Sequence, residues 1–394
     1  MNQLRHQIAD ITRKIRWIPA FGMERELDWL RNMSDWMISK KRYWGLALPI
    51  YKCQCGWFDV IGSEGELQER SIKGWNDYVG HSPHRPWIDV VKIRCEKCGE
   101  PVSRIKDVGT PWLDAGIVPF STINYRGDKN AWKEWFPADW ISESFPGQFR
   151  NWFYSLLTMS TVMEGTEPFR TVFSYALMKD ENGEEMHKSK GNAIWFEEAA
   201  EKMGVDAMRW VYARQNPAAN LNFGYGVSDE IRRQFLIPLW NVYSFFITYA
   251  NIDQYDPTKV SPPPMKDRTE LDRWIVSELH TVISEVRDAL DSYSSERATR
   301  RVEEFVEFLS NWYVRRSRRR FWKSENDEDK VAAHATLYEC LTTLVKLVAP
   351  IMPFLAENMY QNLSLIQISR AHETLRNLVC SLLHEKKKGG GGGG

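Results

Sequence analysis

TVFSYALMKDENGEEMHKSKGN, residues 171–192, is the stretch that decides the fold. It begins as an apolar, β-rich run over residues 171–177, turns at KDENG and continues into a basic loop around Lys188. A buried strand that leads into such a loop predicts a parallel α/β sheet, with the loop at the carboxyl end of the strand. Ammonium groups there can hold a phosphate, although a basic loop by itself is equally typical of a solvated surface.

The segments around this stretch alternate between strand and helix. The predicted elements are a strand over residues 139–143 and helices over residues 149–163, 196–203 and 206–214. Asp206 is a predicted N-cap for the last of these helices, because aspartate often opens a helix. The alternation favours a parallel α/β sheet within residues 111–228.

The rest of the chain divides into a cysteine-rich part and an all-helical part. Residues 46–110 are rich in glycine, cysteine and charge, a profile typical of a small domain with little core of its own. Residues 229–362 have a helical period with short polar or Pro-rich connections, as expected of an antiparallel bundle. At the start of the cysteine-rich part, YWGLALPIY, residues 43–51, is predicted as a buried strand. The predicted fold class is therefore α/β plus all-α.

Composition sets outer limits on function. The 394 residues include 52 basic and 52 acidic side chains, so the formal net charge is zero. This balance argues against a general polyanion binder but not against a local basic patch. No window approaches the roughly 18 uninterrupted apolar residues of a membrane span, and the N-terminus does not resemble a signal peptide. We therefore expect a cytoplasmic protein with no membrane association.

Four cysteines have the spacing of a metal site. They form two pairs, each followed directly by a glycine: Cys53 with Cys55, and Cys95 with Cys98. Two such hooks of thiolates are typical of tetrahedral zinc, and a domain this small would need the metal to fold. Disulfides are not expected in a cytosolic chain. Four thiolates leave no open coordination position, so the sequence predicts a structural zinc; the alternative is four unrelated thiols.

The basic loop and several other stretches resemble the class I aminoacyl-tRNA synthetases. MHKSKGN, residues 186–192, is similar to the family's Lys-Met-Ser-Lys-Ser signature loop. Further similar stretches are KIRWIP at 14–19, DWMIS at 35–39, RYWG at 42–45, DVGTPWLDAG at 107–116, FRNWF at 149–153 and NWYVRRSRRRFW at 311–322. The ordered set covers residues 10–362. It is closest to the isoleucine branch, with the valine and leucine branches as alternatives.

This resemblance implies a domain order and a reaction. Residues 1–45 would connect from an editing insertion, 46–110 would be a zinc-bearing insertion, 111–228 the second half of a Rossmann-type catalytic domain, and 229–362 an anticodon-binding bundle. The isoleucine branch of the family joins isoleucine to AMP from Mg-ATP and then transfers it to tRNA(Ile). No His-x-Gly-His motif, first Rossmann half or editing domain is recognisable. We therefore expect a chain that is inactive alone and acts with an N-terminal half of the synthetase, on the same chain or a separate subunit.

The resemblance also implies roles for individual residues of the catalytic site. Lys188 aligns with the second lysine of the signature loop, which stabilises the ATP phosphates while the α-phosphorus is attacked. Met186, His187 and Ser189 flank it in the same loop, as further binding and catalytic candidates. In a separate motif, Glu143 lies near the glutamate that holds the aminoacyl-adenylate, and Gln148 aligns with a glutamine.

A second implied site faces tRNA. Guanidinium groups position RNA through its phosphates, and the resemblance assigns this role to Arg315, Arg316, Arg318, Arg319 and Arg320. The alternative is a solvated basic helix face. The interleaved aromatic residues are predicted as bundle core, and these are Trp312, Tyr313, Phe321 and Trp322.

Three positions depart from the family pattern. Glu185 stands at the first lysine of the signature loop, His187 at its serine, and Gly147 where the family has a ribose-binding aspartate. His187 could add a phosphate contact or simply fill the loop. Altered phosphate and ribose contacts would weaken or reorganise ATP binding. A non-catalytic RNA-binding paralogue therefore remains an alternative to a synthetase portion.

Residues 363–394 are interpreted as a non-native tail. LSLIQISRAHET at 363–374 and NLVCSLLHE at 377–385 are similar to translated sequencing adapter, and a lysine run followed by a glycine run is what homopolymeric DNA would encode. The alternative is a flexible linker, for which a glycine-rich composition is typical.

Overall fold

The computed structural model describes residues 2–323 and 327–364, so almost all of the predicted tail lies outside the described residues. The chain forms two compact units, Met1–Ala176 and a second that begins at Leu177. The division falls inside the segment 111–228 and directly after the strand with which the deciding stretch begins.

A three-stranded parallel sheet organises the first unit. Thr171–Tyr175 is its central strand, with Arg16–Ile18 on one side and Ile141–Ser144 on the other. The register places Ser144 beside Tyr175, so these two strands end together. The predicted parallel sheet is confirmed. Ile141–Ser144 and Thr171–Tyr175 lie within two residues of their predicted positions, whereas the strand Arg16–Ile18 was not predicted.

Helices cover this sheet and supply most of the core around it. The helices of the first unit that lie outside the cysteine-rich part are Asn2–Thr12, Phe21–Asn32, Pro111–Ser121, Lys129–Trp135, Phe145–Gln148 and Trp152–Met163. Trp17 packs its ring against Phe149 and Phe153 at centroid distances of 6.2 and 6.0 Å. The helix predicted from residue 149 begins only at Trp152, because Phe145–Gln148 forms a separate short helix and the Gln148 side-chain oxygen accepts the Trp152 N–H.

The cysteine-rich part is built from short antiparallel strands. Ile50–Lys52 pairs with Phe58–Val60, and a three-stranded sheet contains Ser71–Lys73, Lys92–Arg94 and Pro101–Ser103. The helices Glu64–Arg70 and Trp75–Tyr78, a 3-10 turn at Trp87–Val90, and the strand pair Ser39–Lys40 with Val108–Gly109 complete it. Its apolar core is small, as predicted, and centres on Tyr51, Tyr78 and Ile93.

The prediction of a buried strand over residues 43–51 is wrong for most of that run. The strand there is only Ile50–Lys52, and the side chains of Tyr43 and Trp44 are 60% and 69% exposed. Gly45 interrupts the run because its φ of +144° is a conformation that other residues rarely adopt. The chain beyond it turns to Val108–Gly109, where the Gly109 N–H donates to the Leu46 carbonyl.

The second unit begins with a small parallel pair and continues into helices. Met178–Asp180 pairs with Leu221–Phe223, and the helices Phe196–Met203 and Val205–Arg214 lie between these strands in sequence. The helices that follow are Tyr225–Ile231, Ile237–Ile252, Glu270–Asp291, Ser295–Glu307, Arg315–Trp322, Glu328–Val348 and Pro353–Ser364. π-helical segments, Arg232–Leu236 and Phe308–Val314, join two of the neighbouring pairs. The predicted helical region is confirmed.

The helix Val205–Arg214 is packed onto these bundle helices. Trp210 is completely buried, stacks on Phe235 at 4.2 Å and donates its indole N–H to Glu303. Asp206 is not the N-cap that the sequence predicts, because the helix starts earlier, at Val205. Its carboxylate instead accepts the Leu355 N–H at 2.6 Å, near the start of the last helix, and burial raises the pKa of Asp206.

Two helical stretches of the second unit are long and apolar enough to cross a membrane by length and composition alone, Tyr225–Ile252 and Glu328–Val348. Both contribute to one buried cluster, for example through Phe246 and Leu341. The core helices of soluble proteins pass the same test, and nothing specific to a membrane is present in residues 2–323 and 327–364.

Candidate functional site

The four cysteines predicted as metal ligands come together in the first unit. Their Sγ atoms all lie within 4.8 Å of one another. The Cys53 and Cys98 sulfurs are 3.5 Å apart, and those of Cys55 and Cys95 are 3.6 Å apart. Four thiols at this spacing could hold one metal ion in tetrahedral coordination.

Each cysteine pair sits on a tight backbone hook closed by its glycine. The Gly56 N–H donates to the Cys53 carbonyl at 3.1 Å, and the Gly99 N–H to the Cys95 carbonyl at 2.9 Å. Both glycines have φ near +80° to +90°, where a side chain would be strained. Burial opposes ionisation of Cys95, but hydrogen bonds from backbone amides and neighbouring thiols outweigh it and lower its pKa to about 7. This favours the thiolate, the form that binds metal.

The signature loop, residues 185–192, lies in the second unit and is tied at both ends to Asp180. One carboxylate oxygen of Asp180 accepts the Glu184 N–H at 2.8 Å, and the other accepts the Asn192 side-chain amide at 2.8 Å. The Asn192 side-chain oxygen accepts the His187 N–H at 2.9 Å. The hydrogen bond from Asn192 is the main cause that lowers the pKa of Asp180. Neither anchor was predicted from the sequence, in which the available signals were an Asp at the start of the KDENG turn and an Asn at the end of the loop.

Lys188 lies in a 3-10 turn, Lys188–Lys190, within this loop. Its ammonium nitrogen is 4.6 Å from the ring centroid of Trp195, so the side chain rests on an exposed indole. Ser189 is also exposed and Met186 is half-buried. The two departures in the loop face each other, since His187 Nε2 lies 3.4 Å from the Glu185 carboxylate.

Glu143 and Gln148 lie in the first unit, at and after the end of the strand Ile141–Ser144. The Glu143 carboxylate accepts the Ser144 N–H at 2.7 Å and lies beside Tyr175, whose pKa is raised by burial and then by this carboxylate. Gln148 uses its side-chain oxygen to cap the helix Trp152–Met163. At Gly147 an added Cβ would meet only Asn151, at an ordinary 3.6 Å, so space does not require glycine there.

The arginine helix, Arg315–Trp322, presents four of the five predicted arginines to solvent. They are Arg315, Arg316, Arg318 and Arg319. The Arg316 guanidinium lies 4.7 Å from the ring centroid of Trp312. Tyr313 and Phe321 are buried as predicted, but Trp312 and Trp322 are 48% and 56% exposed, so their assignment to the core is wrong.

The prediction is also wrong for Arg320, which faces the bundle. Its guanidinium donates to both oxygens of the buried Asp272 at 2.8 Å and to Asp329 at 2.9 Å. The Tyr313 hydroxyl donates to the same Asp272 carboxylate at 2.7 Å. Positions 313, 317, 320 and 321 share one helix face because of the 3.6-residue period, and that face is the buried one.

Comparison with known families agrees with the order of these elements. The family described as tRNA synthetases class I (I, L, M and V) matches residues 1–224, and the anticodon-binding domain of tRNA ligase matches residues 272–386. The chain therefore belongs to the class I aminoacyl-tRNA synthetases.

Its sequence relatives include isoleucine–tRNA ligases. That of Dehalococcoides mccartyi (strain CBDB1) is 42% identical over 380 residues, covering 94% of this chain and 37% of the relative. That of Thermus thermophilus is 42% identical over 355 residues, covering 89% and 34%. The chain thus spans about a third of the length of the curated relatives it matches.

Solved structures share the fold at low sequence identity. Mycobacterium tuberculosis methionyl-tRNA synthetase with methionyl-adenylate has a TM-score of 0.64 at 16% identity, over 91% of this chain and 60% of that one. The Agrobacterium radiobacter K84 LeuRS–tRNA–LeuAMS complex has a TM-score of 0.60 at 19% identity, over 84% and 40%.

Replacing Arg320 should destabilise the protein far more than replacing its neighbour. Arg320→Ala leaves the buried Asp272 carboxylate without its cation, which we expect to lower the free energy of unfolding by about 3–5 kcal/mol. Arg319→Ala removes an exposed side chain and should change it by less than about 0.5 kcal/mol. Urea denaturation followed by circular dichroism measures both, and equal effects would contradict the assignment of Arg320 to the bundle.

Proposed function

We propose that this chain forms the part of an isoleucine–tRNA ligase that carries the signature loop and the anticodon-binding helices. The whole enzyme would activate isoleucine with Mg-ATP and transfer it to tRNA(Ile) in the cytoplasm. The observation that carries the proposal is the 42% identity to isoleucine–tRNA ligases over 94% of the chain. The valine and leucine branches remain alternatives in specificity.

Lys188 would stabilise the charge that builds on the ATP phosphates during attack at the α-phosphorus. Lys188 rests on the Trp195 ring in the structure, and an exposed cation–π contact of this kind contributes only about 0.5–1 kcal/mol. This weak contact supports the role, because it leaves the ammonium group free to move to a phosphate. Charge-assisted hydrogen bonds to phosphate are stronger, so ATP can draw the ammonium group from the indole. Asp180 and Asn192 would hold the loop while this exchange takes place.

Glu143 and Gln148 would position the aminoacyl-adenylate. Glu143 is the next-to-last residue of the parallel strand Ile141–Ser144, and ligands of α/β sheets commonly bind at such carboxyl ends. Gln148 would contribute from the adjacent helix start, with its amide nitrogen available for a ligand because its oxygen caps the helix.

The tetrahedral group of thiols would hold a structural zinc. Cys53, Cys55, Cys95 and Cys98 fit this metal because thiolate sulfur is a preferred zinc ligand and two glycine-closed hooks present all four. The metal would link the two hooks and thereby stabilise a module whose apolar core is small.

A non-catalytic RNA-binding paralogue is the second candidate. Glu185 places a carboxylate where the family's loop carries a lysine, and it lies against His187 rather than leaving the loop purely basic. A carboxylate near the phosphates would repel them. Under this alternative the helices would bind RNA while the loop would not support adenylate formation.

Removing the metal should unfold the cysteine module. We expect one zinc ion per chain, measured by atomic absorption after dialysis, and a lower zinc content in Cys95→Ser because water in place of the fourth thiolate binds the metal more weakly. Cys340→Ser is the matched control, since that thiol is buried in the helical unit, and it should retain the zinc. Zinc bound equally by both variants would exclude the four-cysteine site.

Isoleucine-dependent ATP–pyrophosphate exchange tests the proposed activity. The chain alone should show none, because the given 394 residues lack the His-x-Gly-His motif. Exchange should appear when an N-terminal portion of an isoleucine–tRNA ligase carrying that motif is supplied. In that pair, Lys188→Ala should lower the rate by about 10²–10³-fold, the usual effect of losing one transition-state contact.

Lys259→Ala is the control for this loss of charge, since Lys259 is exposed and pairs with Asp256 away from the signature loop in sequence. Exchange by the chain alone would contradict the first expectation. Restoring the family residues with Glu185→Lys and His187→Ser should raise the rate of the reconstituted pair. If no combination shows exchange while tRNA is still bound, the paralogue is the better description.

Reversing two charges on the arginine helix should weaken tRNA binding. Arg315→Glu with Arg319→Glu removes two phosphate contacts, and each contact changes the slope of log K against log salt by about 0.7–0.9. Arg297→Glu with Arg300→Glu is the matched control, with the same change of charge at exposed positions of another helix. Filter binding of labelled tRNA measures both, and unchanged binding in the first variant would exclude this surface.

A further inference from the structure

The exposed segment next to the cysteine module contains no residue to which the proposed function assigns a role. It reads KKRYW at residues 40–44, and Lys41, Arg42, Tyr43 and Trp44 are all exposed. A tryptophan and a tyrosine side by side on the surface form an exposed apolar patch, and such patches beside polar residues are typical of interaction sites. We call Lys41, Arg42, Tyr43, Trp44 and His84 the stacking surface.

The aromatic rings of this surface are held in place by contacts on one side. The indole of Trp44 lies parallel to the His84 imidazole, at 4.8 Å and 10°. The Arg85 guanidinium lies 4.9 Å from the centroid of the Tyr43 ring. Because Trp44 remains 69% exposed despite its partner, its other face is open. A flat group could stack there without first ordering the ring.

The backbone beneath the rings is fixed as well. Arg85 donates from Nη1 to the carbonyls of Arg42 at 3.2 Å and Lys106 at 3.4 Å. Its Nε donates to Asp89 at 2.9 Å, which anchors the guanidinium in the module. The segment therefore presents its side chains from a braced loop, so binding would not have to order it.

The charge of the surface is positive. Neither Lys41 nor Arg42 has an acidic partner among residues 2–323 and 327–364. The nearby Asp89 is already paired with Arg85, at 2.9 Å, and with Arg104, at 2.7 Å. Asp114 faces His84 as an acidic neighbour. Open aromatic faces beside unpaired cations are the combination that binds single-stranded nucleic acid, where bases stack and phosphates meet ammonium or guanidinium groups.

We propose that the stacking surface binds an unpaired RNA strand, with a base on Trp44, a second against Tyr43, and phosphates at Lys41 and Arg42. RNA is favoured over a protein partner because two cations without acidic partners directly precede two exposed rings, Tyr43 and Trp44. An unpaired strand is favoured over a duplex because bases within a helix cannot reach the rings. The stacking surface shares no residue with the signature loop or the arginine helix, so the proposal stands whether or not the proposed ligase activity does.

The test uses the full chain carrying Arg315→Glu and Arg319→Glu, so that the arginine helix does not contribute. Fluorescence anisotropy with a labelled single-stranded oligoribonucleotide should show salt-dependent binding, and the same RNA in a duplex should bind at least about tenfold more weakly. Trp44→Ala should weaken single-strand binding by about fivefold or more, the usual effect of losing a base-stacking aromatic. Arg42→Ala should lower the salt slope by about 0.7.

Trp135→Ala is the matched control, because Trp135 is 73% exposed and lies in the helix Lys129–Trp135, outside the stacking surface, and it should bind like the parent. Trp44→Leu, which keeps an apolar side chain without a flat ring, should bind as weakly as Trp44→Ala, and circular dichroism verifies that each variant is folded. The proposal is overturned by equal binding of duplex and single strand, by no effect at Trp44, or by no RNA binding. Concentration-dependent self-association abolished by Trp44→Ala, with no RNA binding, would identify a protein interface instead.

Discussion

The second unit depends on the buried indole of Trp210. Its stacking on Phe235 and its hydrogen bond to Glu303 hold the helix Val205–Arg214 against the bundle. Two further residues of this helix contact the start of the last helix and the turn before it: Asp206 accepts the Leu355 N–H, and Arg209 donates to the Ile351 carbonyl. This helix lies in sequence between the paired strands Met178–Asp180 and Leu221–Phe223. The strand pair and the signature loop are therefore held in the same unit as the bundle. The loop and the arginine helix therefore share one packed body, although sequence resemblance assigns them to different domains.

Features with short-range signals could be predicted from the sequence. The cysteine hooks, the parallel strand Thr171–Tyr175 and the bundle helices each depend on residues within a few positions of one another. Arg320 could not be predicted, because its environment is set by Asp272, 48 residues away. From the sequence alone, Arg320 cannot be distinguished from the arginines beside it. The strand predicted over 43–51 fails for a local reason, the left-handed φ of Gly45, which an apolar pattern conceals.

Some of the groups that shape the sites give no sequence signal. Asn192 and Asp180 brace the signature loop across 12 positions, through contacts that either residue type could make elsewhere. The burial of Glu26 in the first unit has no sequence signal at all. Neither of its carboxylate oxygens has a hydrogen-bond partner in the described chain, and burial raises the pKa of Glu26 well above the ordinary value. Its position on an amphipathic helix resembles that of any solvated glutamate. Burial of this kind follows from three-dimensional packing, which no single-sequence pattern reveals.

The closeness of the four thiols has a consequence for redox chemistry. Cys53 and Cys98, and likewise Cys55 and Cys95, have sulfurs 3.5 and 3.6 Å apart, so little movement separates each pair from a disulfide. A thiolate is also the form that attacks an oxidised sulfur, and the lowered pKa of Cys95 favours it near neutral pH. A metal held by all four sulfurs would occupy their lone pairs and block this reaction. Its release would leave these thiolates open to exchange with an external disulfide, which would be reduced to two thiols as the protein disulfide forms, and rebinding of the metal would then require a reductant.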